Sequence, residues 1–301
     1  MFFLALIFSQ VSTNQNITLE NPSSTIESFN YFQIIILGMI QGLTEFLPIS
    51  STAHLQIIPS YLGWGDPGVN FSAVIQLGSI ISVVWYFWSD LKKIIMGTFI
   101  AIKDHDLESH DLRMGFGIFM GTLPFLLIGY LTKTFMTDMD NSILRSSEMV
   151  AASSIIMSLL LALAEKVGKY ERTFDKLKWQ DAFLMGTIQS LAIIPGVSRS
   201  GSTITLGLFL NLNRETAARF SFLLGVPAIT IVGLYELIEI FNTGFSQETI
   251  LPLFTAILSS IFFSYLSIAW LINYLQKQST WIFVWYRLGF GSFILIDMFL
   301  S

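Results

Sequence analysis

The chain has 301 residues, of which 53% are hydrophobic and only 12% are charged, and it contains no cysteine. A soluble domain carries about 25% charged residues, so this composition excludes an ordinary soluble protein. Without cysteine, a disulfide framework, a zinc–thiolate site and a cysteine nucleophile are excluded, and any chemistry must use oxygen and nitrogen groups. The net charge of −5 says little about partners, because in a membrane protein the placement of charge matters more than its sum.

The N-terminal part of the chain differs in composition from the rest. Residues 1–9 are apolar, but this stretch is short and has no basic residues before it, which is a poor match to a cleaved signal peptide. Polar residues, mainly Asn, Ser and Thr, then predominate as far as residue 30. We therefore expect residues 1–30 to be poorly ordered and residues 31–301 to form a single membrane domain.

Long apolar stretches follow at intervals along the rest of the chain. A transmembrane helix needs about 20 predominantly apolar residues. Several stretches qualify, among them residues 71–88, 116–131, 149–164 and 251–272. The sequence therefore predicts an all-α polytopic membrane protein with about six transmembrane helices and no separate soluble domain.

Basic residues orient the chain in the membrane. No Lys or Arg precedes Lys92, and the loop after the first long span carries Lys92, Lys93 and Lys103. A second basic loop covers residues 166–178, two spans later, whereas residues 241–248 contain no Lys or Arg. Because cytoplasmic loops are enriched in positive charge, both basic loops are expected in the cytoplasm and both chain ends outside.

The chain resembles itself at an offset of about 148 residues, the kind of self-similarity that marks an internal duplication. Five residues of the first half recur in the second: Gly38, Ile40, Gln41, Leu43 and Ser50 correspond to Gly186, Ile188, Gln189, Leu191 and Ser198. In each copy an apolar run is interrupted by proline and small hydroxyl residues, over residues 47–53 and 195–201. Proline removes a helical hydrogen bond and disfavours helix before it, so both segments predict broken helices, which we interpret as re-entrant hairpins.

The number of spans in each copy determines their relative orientation. One re-entrant hairpin plus three spans is an odd set of crossings, which predicts an inverted-topology repeat over about residues 31–165 and 181–301. Unpaired backbone at membrane depth persists only where protein or water covers it. We therefore expect the two breaks to pack against each other and to share one cavity.

The first break concentrates side chains suited to acid–base chemistry. Gln41 and Glu45 are four residues apart and share one helix face. The polar residues that follow are Ser50, Ser51, Thr52 and His54. An acid, candidate nucleophiles and a general acid–base group thus lie within one short stretch.

The second break carries a positive charge in an otherwise apolar stretch. Arg199 offers paired donors that match a phosphate, and backbone N–H groups at a helix start add further donors. Its polar and glycine neighbours are Gly196, Ser198, Ser200, Gly201, Ser202 and Thr203. This combination predicts a phosphate site facing the acid and hydroxyls of the first break, which suits phosphoryl transfer from a membrane-embedded substrate.

Each of these polar groups also has a structural interpretation. Hydroxyls that satisfy backbone carbonyls are an equal alternative at three positions: Ser50, Ser202 and Thr205. Glu45 and Arg199 could form a buried structural pair and His54 could simply pack, but we favour a site because burying so many polar groups in a membrane is costly. Residues 104–111 hold four acidic residues and two histidines, for which we favour a solvated loop over a metal site.

The two broken segments resemble the signatures of a known family. Residues 41–54 (QGLTEFLPISSTAH) and 195–203 (PGVSRSGST) are similar to the two motifs of undecaprenyl diphosphate phosphatase, the bacitracin-resistance protein family. The similarity runs from about Gln33 to the C-terminus. It implies hydrolysis of undecaprenyl diphosphate to the monophosphate and inorganic phosphate, which recycles the lipid carrier of peptidoglycan synthesis in the bacterial inner (plasma) membrane.

The resemblance also implies roles for individual residues. The family's acidic residue corresponds to Glu45, its candidate hydroxyl nucleophile to Ser51, its histidine to His54 and its arginine to Arg199. It implies a divalent cation, Mg²⁺ or Ca²⁺, held by Glu45, and a site open to the periplasmic side. Many members have glutamate where this chain has Gln41, which can offer a cation its carbonyl oxygen but no charge. Substrate contacts are expected from the remaining motif residues: Gln41, Ser50, Thr52, Gly196, Ser198, Ser200, Gly201 and Thr203.

A second class of function stays open at this point. A transporter or flippase for a phosphorylated lipid would share the inverted repeats and broken helices. The sequence does not decide between a covalent phosphoserine and direct attack by water, nor does it fix the cation or the oligomeric state, a homo-oligomer included. The expected partners are a polyprenyl diphosphate lipid and the bilayer, and no nucleic acid.

Overall fold

The computed structural model describes residues 29–135, 143–242 and 247–300. Residues 1–28 of the predicted poorly ordered segment lie outside the described residues. Within the described ranges the chain forms eleven α-helices and three short 3₁₀ turns. The helices are α1 (Tyr31–Glu45), α2 (Ser51–Tyr61), α3 (Gly68–Tyr86), α4 (Trp88–Lys103), α5 (His110–Phe135), α6 (Ser147–Val167), α7 (Trp179–Gln189), α8 (Arg199–Phe209), α9 (Arg214–Asn242), α10 (Gln247–Lys277) and α11 (Trp281–Leu300).

Six of these helices are long and apolar enough to cross a membrane: α3, α5, α6, α9, α10 and α11. The four stretches singled out in the sequence fall in α3, α5, α6 and α10. The prediction of an all-α polytopic protein with six spans is thus confirmed. The first span lies two to three residues closer to the N-terminus than the predicted stretch, because α3 begins at Gly68 and ends at Tyr86, and a new helix begins at Trp88.

The segment predicted as the first basic loop is instead mostly helical. It forms α4, in which only Ile94 and Ala101 are buried, while Ile95, Phe99 and Ile102 are exposed. These exposed apolar residues recur at intervals of four and three, the spacing of one face of a helix. The loop prediction was therefore wrong, since the lysines are interspersed with a helical apolar pattern.

Small residues bring α1 and α3 close to α10. A Cβ atom added to Gly42 would lie 2.8 Å from the backbone oxygen of Ser260, and one added to Gly78 would lie 2.6 Å from that of Ile257. Ser79 forms hydrogen bonds with Ser260 and Ser264 at 3.2 and 2.8 Å. Close approach over small residues with interhelical hydrogen bonds is typical of membrane helix packing, and here it fixes the helix that leads into the first break.

The helices on either side of each break are short. α1 has 15 residues, and α2, α7 and α8 have 11 each. At 1.5 Å per residue these helices are about 16–23 Å long, less than the roughly 30 Å of a bilayer's hydrocarbon core. The structure therefore has two helix-break-helix segments where the sequence predicts them; their re-entrant path and the inverted orientation of the two copies stay predictions.

Candidate active site at the two helix breaks

The two breaks have the same local conformation at the repeated serine. Ser50 and Ser198 have positive φ angles of 76° and 70°, and each is the N-cap of the helix that follows. The side chain of Ser50 accepts a hydrogen bond from the N–H of Ala53, as that of Ser198 does from Gly201. Such N-caps satisfy a first-turn donor of the helix, so both serines start a helix at the point where the preceding chain has turned.

The two breaks contact each other directly, as predicted. The N–H of Gly196 donates to Ser50 Oγ at 3.2 Å. In the other direction, the Ser200 hydroxyl donates to the backbone oxygen of Leu47 at 2.9 Å. Each break therefore supplies hydrogen-bond partners for backbone groups of the other.

A second arginine connects both breaks to α11. Arg287 is 1% exposed and donates to the backbone oxygens of Pro48 and Gly196 at 2.9 and 2.5 Å. It also donates to the backbone oxygens of Val197 and Ser154 at 3.1 and 3.3 Å. Carbonyl oxygens that the breaks leave without a helical N–H are thus paired with one planar guanidinium group, whose fork of donors suits this task.

Glu45, at the end of α1, lies at the centre of the predicted site. Its Oε2 accepts hydrogen bonds from the Ser51 hydroxyl at 2.7 Å and from Gln41 Nε2 at 2.8 Å. All three side chains are buried. The carboxylate is therefore held from both sides of the first break, and it is in hydrogen-bonding contact with the candidate nucleophile.

Arg199, the first residue of α8, faces the same carboxylate. Its guanidinium group lies 3.5 Å from Glu45 Oε1 and donates to the backbone oxygen of Ser221 at 3.2 Å. Its Nε is buried and has no hydrogen-bond partner among the described residues. A long ion pair plus an unused donor leaves this arginine with hydrogen-bonding capacity for an anion.

His54 is buried but turned away from Glu45 and Ser51. Its Nδ1 lies 2.7 Å from the backbone oxygen of Ser50, and its Nε2 lies 2.6 Å from the Tyr286 hydroxyl. A carbonyl oxygen can only accept, so Nδ1 carries the hydrogen and, in the neutral ring, Nε2 accepts from Tyr286. In this conformation the hydrogen-bond partner of Ser51 is Glu45 and not His54.

The other predicted residues lie in the same region, mostly in contact with backbone or with one another. Thr52 Oγ1 is 3.1 Å from Ser50 Oγ, and Ser198 Oγ is 3.2 Å from Ser200 Oγ. Thr203 donates to the backbone oxygen of Arg199 at 2.8 Å. Two of the three hydroxyls for which a structural role was an equal alternative, Ser202 and Thr205, donate to backbone oxygens of their own helix.

Residues 104–111 are separate from this site. The chain there is largely exposed, and the Nε2 atom of His110 lies 3.3 Å from the backbone oxygen of Phe174. Across the described ranges, no group of three or more His, Asp or Glu side chains is placed to hold a metal ion together. A divalent cation can, however, be held by one or two carboxylates with water and substrate phosphates completing its shell.

The chemistry of the donors around Glu45 fits such a cation. Gln41 Oε1 is buried without a hydrogen-bond partner among the described residues, and it belongs to the side chain whose Nε2 donates to Glu45. An amide oxygen and a carboxylate are hard oxygen ligands of the type that Mg²⁺ and Ca²⁺ prefer. Because Gln41 and Glu45 together carry a single negative charge, substrate phosphates would have to supply the remaining negative charge around a divalent cation.

Three residues that the sequence analysis did not select contribute to the site. Arg287 lies within an apolar span. A charge inside an apolar span is the signal that singled out Arg199, and the same signal could have identified Arg287. Tyr286 gave no signal. Gly225 gave none either, yet a Cβ atom added to it would collide with the guanidinium group of Arg199.

Comparison with known proteins identifies the family. Residues 34–293 match the family described as bacitracin resistance protein BacA. The chain is 59% identical over 282 residues to a protein of Synechocystis sp. named undecaprenyl-diphosphatase. The alignment covers 91% of this chain and 86% of that protein. A Trichodesmium erythraeum protein of the same name is 54% identical over 296 residues, or 98% of this chain and 95% of the relative. The extent and level of these matches show that the chain belongs to the bacitracin resistance protein BacA family.

Proposed function

We propose that this protein is an integral membrane phosphatase that hydrolyses undecaprenyl diphosphate to undecaprenyl phosphate and inorganic phosphate. Such a reaction recycles the lipid carrier of peptidoglycan synthesis. The names of its relatives support this activity. The single observation that carries it is the buried contact of Ser51 with Glu45, opposite Arg199, where the two breaks meet.

Binding of the terminal phosphate is assigned to the second break. Arg199 has an unused Nε donor among the described residues and is only loosely paired with Glu45. The first turns of α2 and α8 add backbone N–H groups, and the partial positive charge of a helix start favours an anion. A phosphate bound here would lie between a guanidinium group and the Ser51 hydroxyl.

The reaction then needs an oxygen nucleophile and a proton acceptor. Glu45 already accepts the Ser51 hydrogen bond, so it is placed to take that proton as Ser51 Oγ attacks the terminal phosphorus. The bond from that phosphorus to the bridging oxygen breaks, undecaprenyl phosphate leaves, and water hydrolyses the phosphoserine. Direct attack by water, with Glu45 as the base, is the alternative route and uses the same contacts.

His54 is assigned to proton exchange on the side of the leaving group. Its Nε2 faces Tyr286 at 2.6 Å and not the nucleophile. Glu45, with Gln41 Oε1, would hold a divalent cation, Mg²⁺ or Ca²⁺, which supplies neutralisation of the charge that develops on the phosphate. Charge stabilisation of this kind is the main contribution that proteins make to phosphoryl transfer.

The location of the protein is also part of the proposal. The chain is a multi-pass membrane protein. We place it in the bacterial inner membrane with its active site facing the periplasm, supported by the positive-inside pattern, which puts both chain ends outside. The lipid substrate would then present its diphosphate to the site from the outer leaflet.

Phosphate release by the purified protein in detergent separates this proposal from a transporter. A phosphatase releases inorganic phosphate from undecaprenyl diphosphate in the presence of Mg²⁺ or Ca²⁺ and loses activity on chelation. A transporter alone releases none, because moving a lipid across a bilayer breaks no phosphoanhydride bond. Release by the wild type therefore supports the phosphatase, and its absence in folded protein would support the transporter.

A further inference from the structure

An aromatic groove lies on the exposed side of α11, one of the helices that are long and apolar enough to cross a membrane. It has a volume of about 370 Å³ and is lined by Trp285, Tyr286, Gly289, Phe290 and Phe293. Gly289 forms its floor: a Cβ atom added there would meet no other atom within 4 Å. The groove thus exists because one residue of this face has no side chain while its neighbours are large and aromatic.

The inner wall of this groove is in contact with the proposed active site. The ring of His54 stacks on Phe290 with centroids 4.4 Å apart and an angle of 6° between the planes. It also stacks on Tyr286, whose hydroxyl is the partner of its Nε2. The same face of α11 therefore presents apolar surface to the lipid and packs against a residue of the first break.

The helix that carries the groove is also fixed to both breaks. Arg287, between the groove residues Tyr286 and Gly289, donates to the backbone oxygens of Pro48 and Gly196. The position of the groove relative to the site is consequently fixed by these hydrogen bonds. A lipid whose head is bound at the breaks would find exposed aromatic surface beginning at Tyr286, whose hydroxyl contacts His54.

We propose that this groove binds the polyprenyl chain of the substrate where it joins the diphosphate, so that α11 forms the lateral entrance to the site. This inference rests on the proposed function, since it takes its ligand from that reaction. A polyprenyl diphosphate has the two features that the geometry requires: an anionic head for the breaks and a long apolar chain of isoprene units that must stay in hydrocarbon. Tyr286 is amphipathic and lies where the two parts meet.

Photolabelling with a polyprenyl diphosphate that carries a diazirine near its head tests this assignment without requiring turnover. The label is expected on α11, and excess unlabelled polyprenyl diphosphate should compete with it while the same amount of phospholipid should not. Gly289→Leu fills the groove and should lower the labelling of α11 by about tenfold, the order of effect of added volume in an apolar pocket. Phe293→Ala, which removes one wall, should also lower it.

Gly129→Leu is the matched control. Gly129 also lies on a membrane-crossing helix, α5, with no atom within 4 Å of an added Cβ. This variant should label and hydrolyse as the wild type does. Three results would overturn the proposal and identify the groove as an ordinary lipid contact. They are unchanged labelling of α11 in Gly289→Leu, labelling of other helices instead of α11, and equal competition by phospholipid.

The same preparations separate this inference from the proposed function. Phosphate release is measured on the wild type alongside the labelling. Labelling of the groove without phosphate release would support a binding site for the lipid diphosphate but contradict the phosphatase activity. Phosphate release without labelling of α11 would support the phosphatase activity but contradict the groove as the site of the polyprenyl chain.

Discussion

The Ser51 hydroxyl donates to Glu45 Oε2 at 2.7 Å across the break between α1 and α2. No continuous helix would join these residues, because positions six apart do not share a face. The contact depends on the turn through Ser50, whose φ of 76° starts a new helix at Ser51. The break in the first repeat therefore creates the pair of groups on which the proposed chemistry relies.

Ser51→Ala is expected to lower turnover by about 100-fold or more, because it removes the hydroxyl that Glu45 is placed to deprotonate. Ser60→Ala, near the end of the same helix, removes an exposed hydroxyl that only bonds its own backbone and should have no effect. Phosphate release measures both. Rapid quenching with labelled substrate then decides the route: phosphate bound to Ser51 shows the covalent one, and near-normal turnover of Ser51→Ala would eliminate it.

Gly225→Ala should lower kcat/KM by about 100-fold, a typical cost of displacing a reacting group by about 1 Å. The new methyl group would occupy the space of the Arg199 guanidinium group. Gly129→Ala, in a helix with open space around it, is the control. Steady-state kinetics with both variants checks this; equal activity of Gly225→Ala and wild type would show that the position of Arg199 is not critical.

Arg287→Met should destabilise the protein by about 3 kcal/mol, because it leaves buried carbonyl oxygens of both breaks without donors. Arg287→Lys retains the charge but not the planar fork of donors, so it should lower activity more than stability. Exposed Arg113→Lys is the control. Denaturant unfolding in detergent and phosphate release measure the two effects, and a fully active, fully stable Arg287→Met would refute a positioning role.

Gln41→Glu should lower the Mg²⁺ concentration needed for half-maximal activity by about tenfold, since cation affinity rises with the number of charged ligands. Without the cation, the variant should be less stable than the wild type, because it exchanges the Gln41–Glu45 hydrogen bond for two adjacent carboxylates. Gln33→Glu, in the first turn of the same helix, is the control. An unchanged Mg²⁺ dependence would indicate that residue 41 does not face the cation.

Much of the fold could be predicted because membrane spans and proline breaks leave strong local signals. The apolar stretches, residues 47–53 and residues 195–201 all correspond to features of the structure. The contact between the breaks also followed from a general rule, that backbone groups at membrane depth need partners. The helix α4 was missed because its lysines were interpreted only as topology signals.

The arrangement within the site was harder to predict. Glu45 contacts both Ser51 and Arg199, as their proximity to the breaks suggested. The orientation of His54, however, depends on Tyr286, a residue 232 positions away. The space for Arg199 depends likewise on Gly225. Such contacts arise from the packing of distant helices, and no local pattern in the chain encodes them.

The most direct test of the central claim compares Glu45→Gln with Glu148→Gln in purified protein. Both substitutions remove one carboxylate, but Glu45 is buried between the breaks and Glu148 is exposed on α6. With Mg²⁺ or Ca²⁺ present, the wild type and Glu148→Gln should release phosphate from undecaprenyl diphosphate at similar rates. Glu45→Gln should be slower by about 1,000-fold. Wild-type rates from a folded Glu45→Gln variant would contradict an active site at the two breaks.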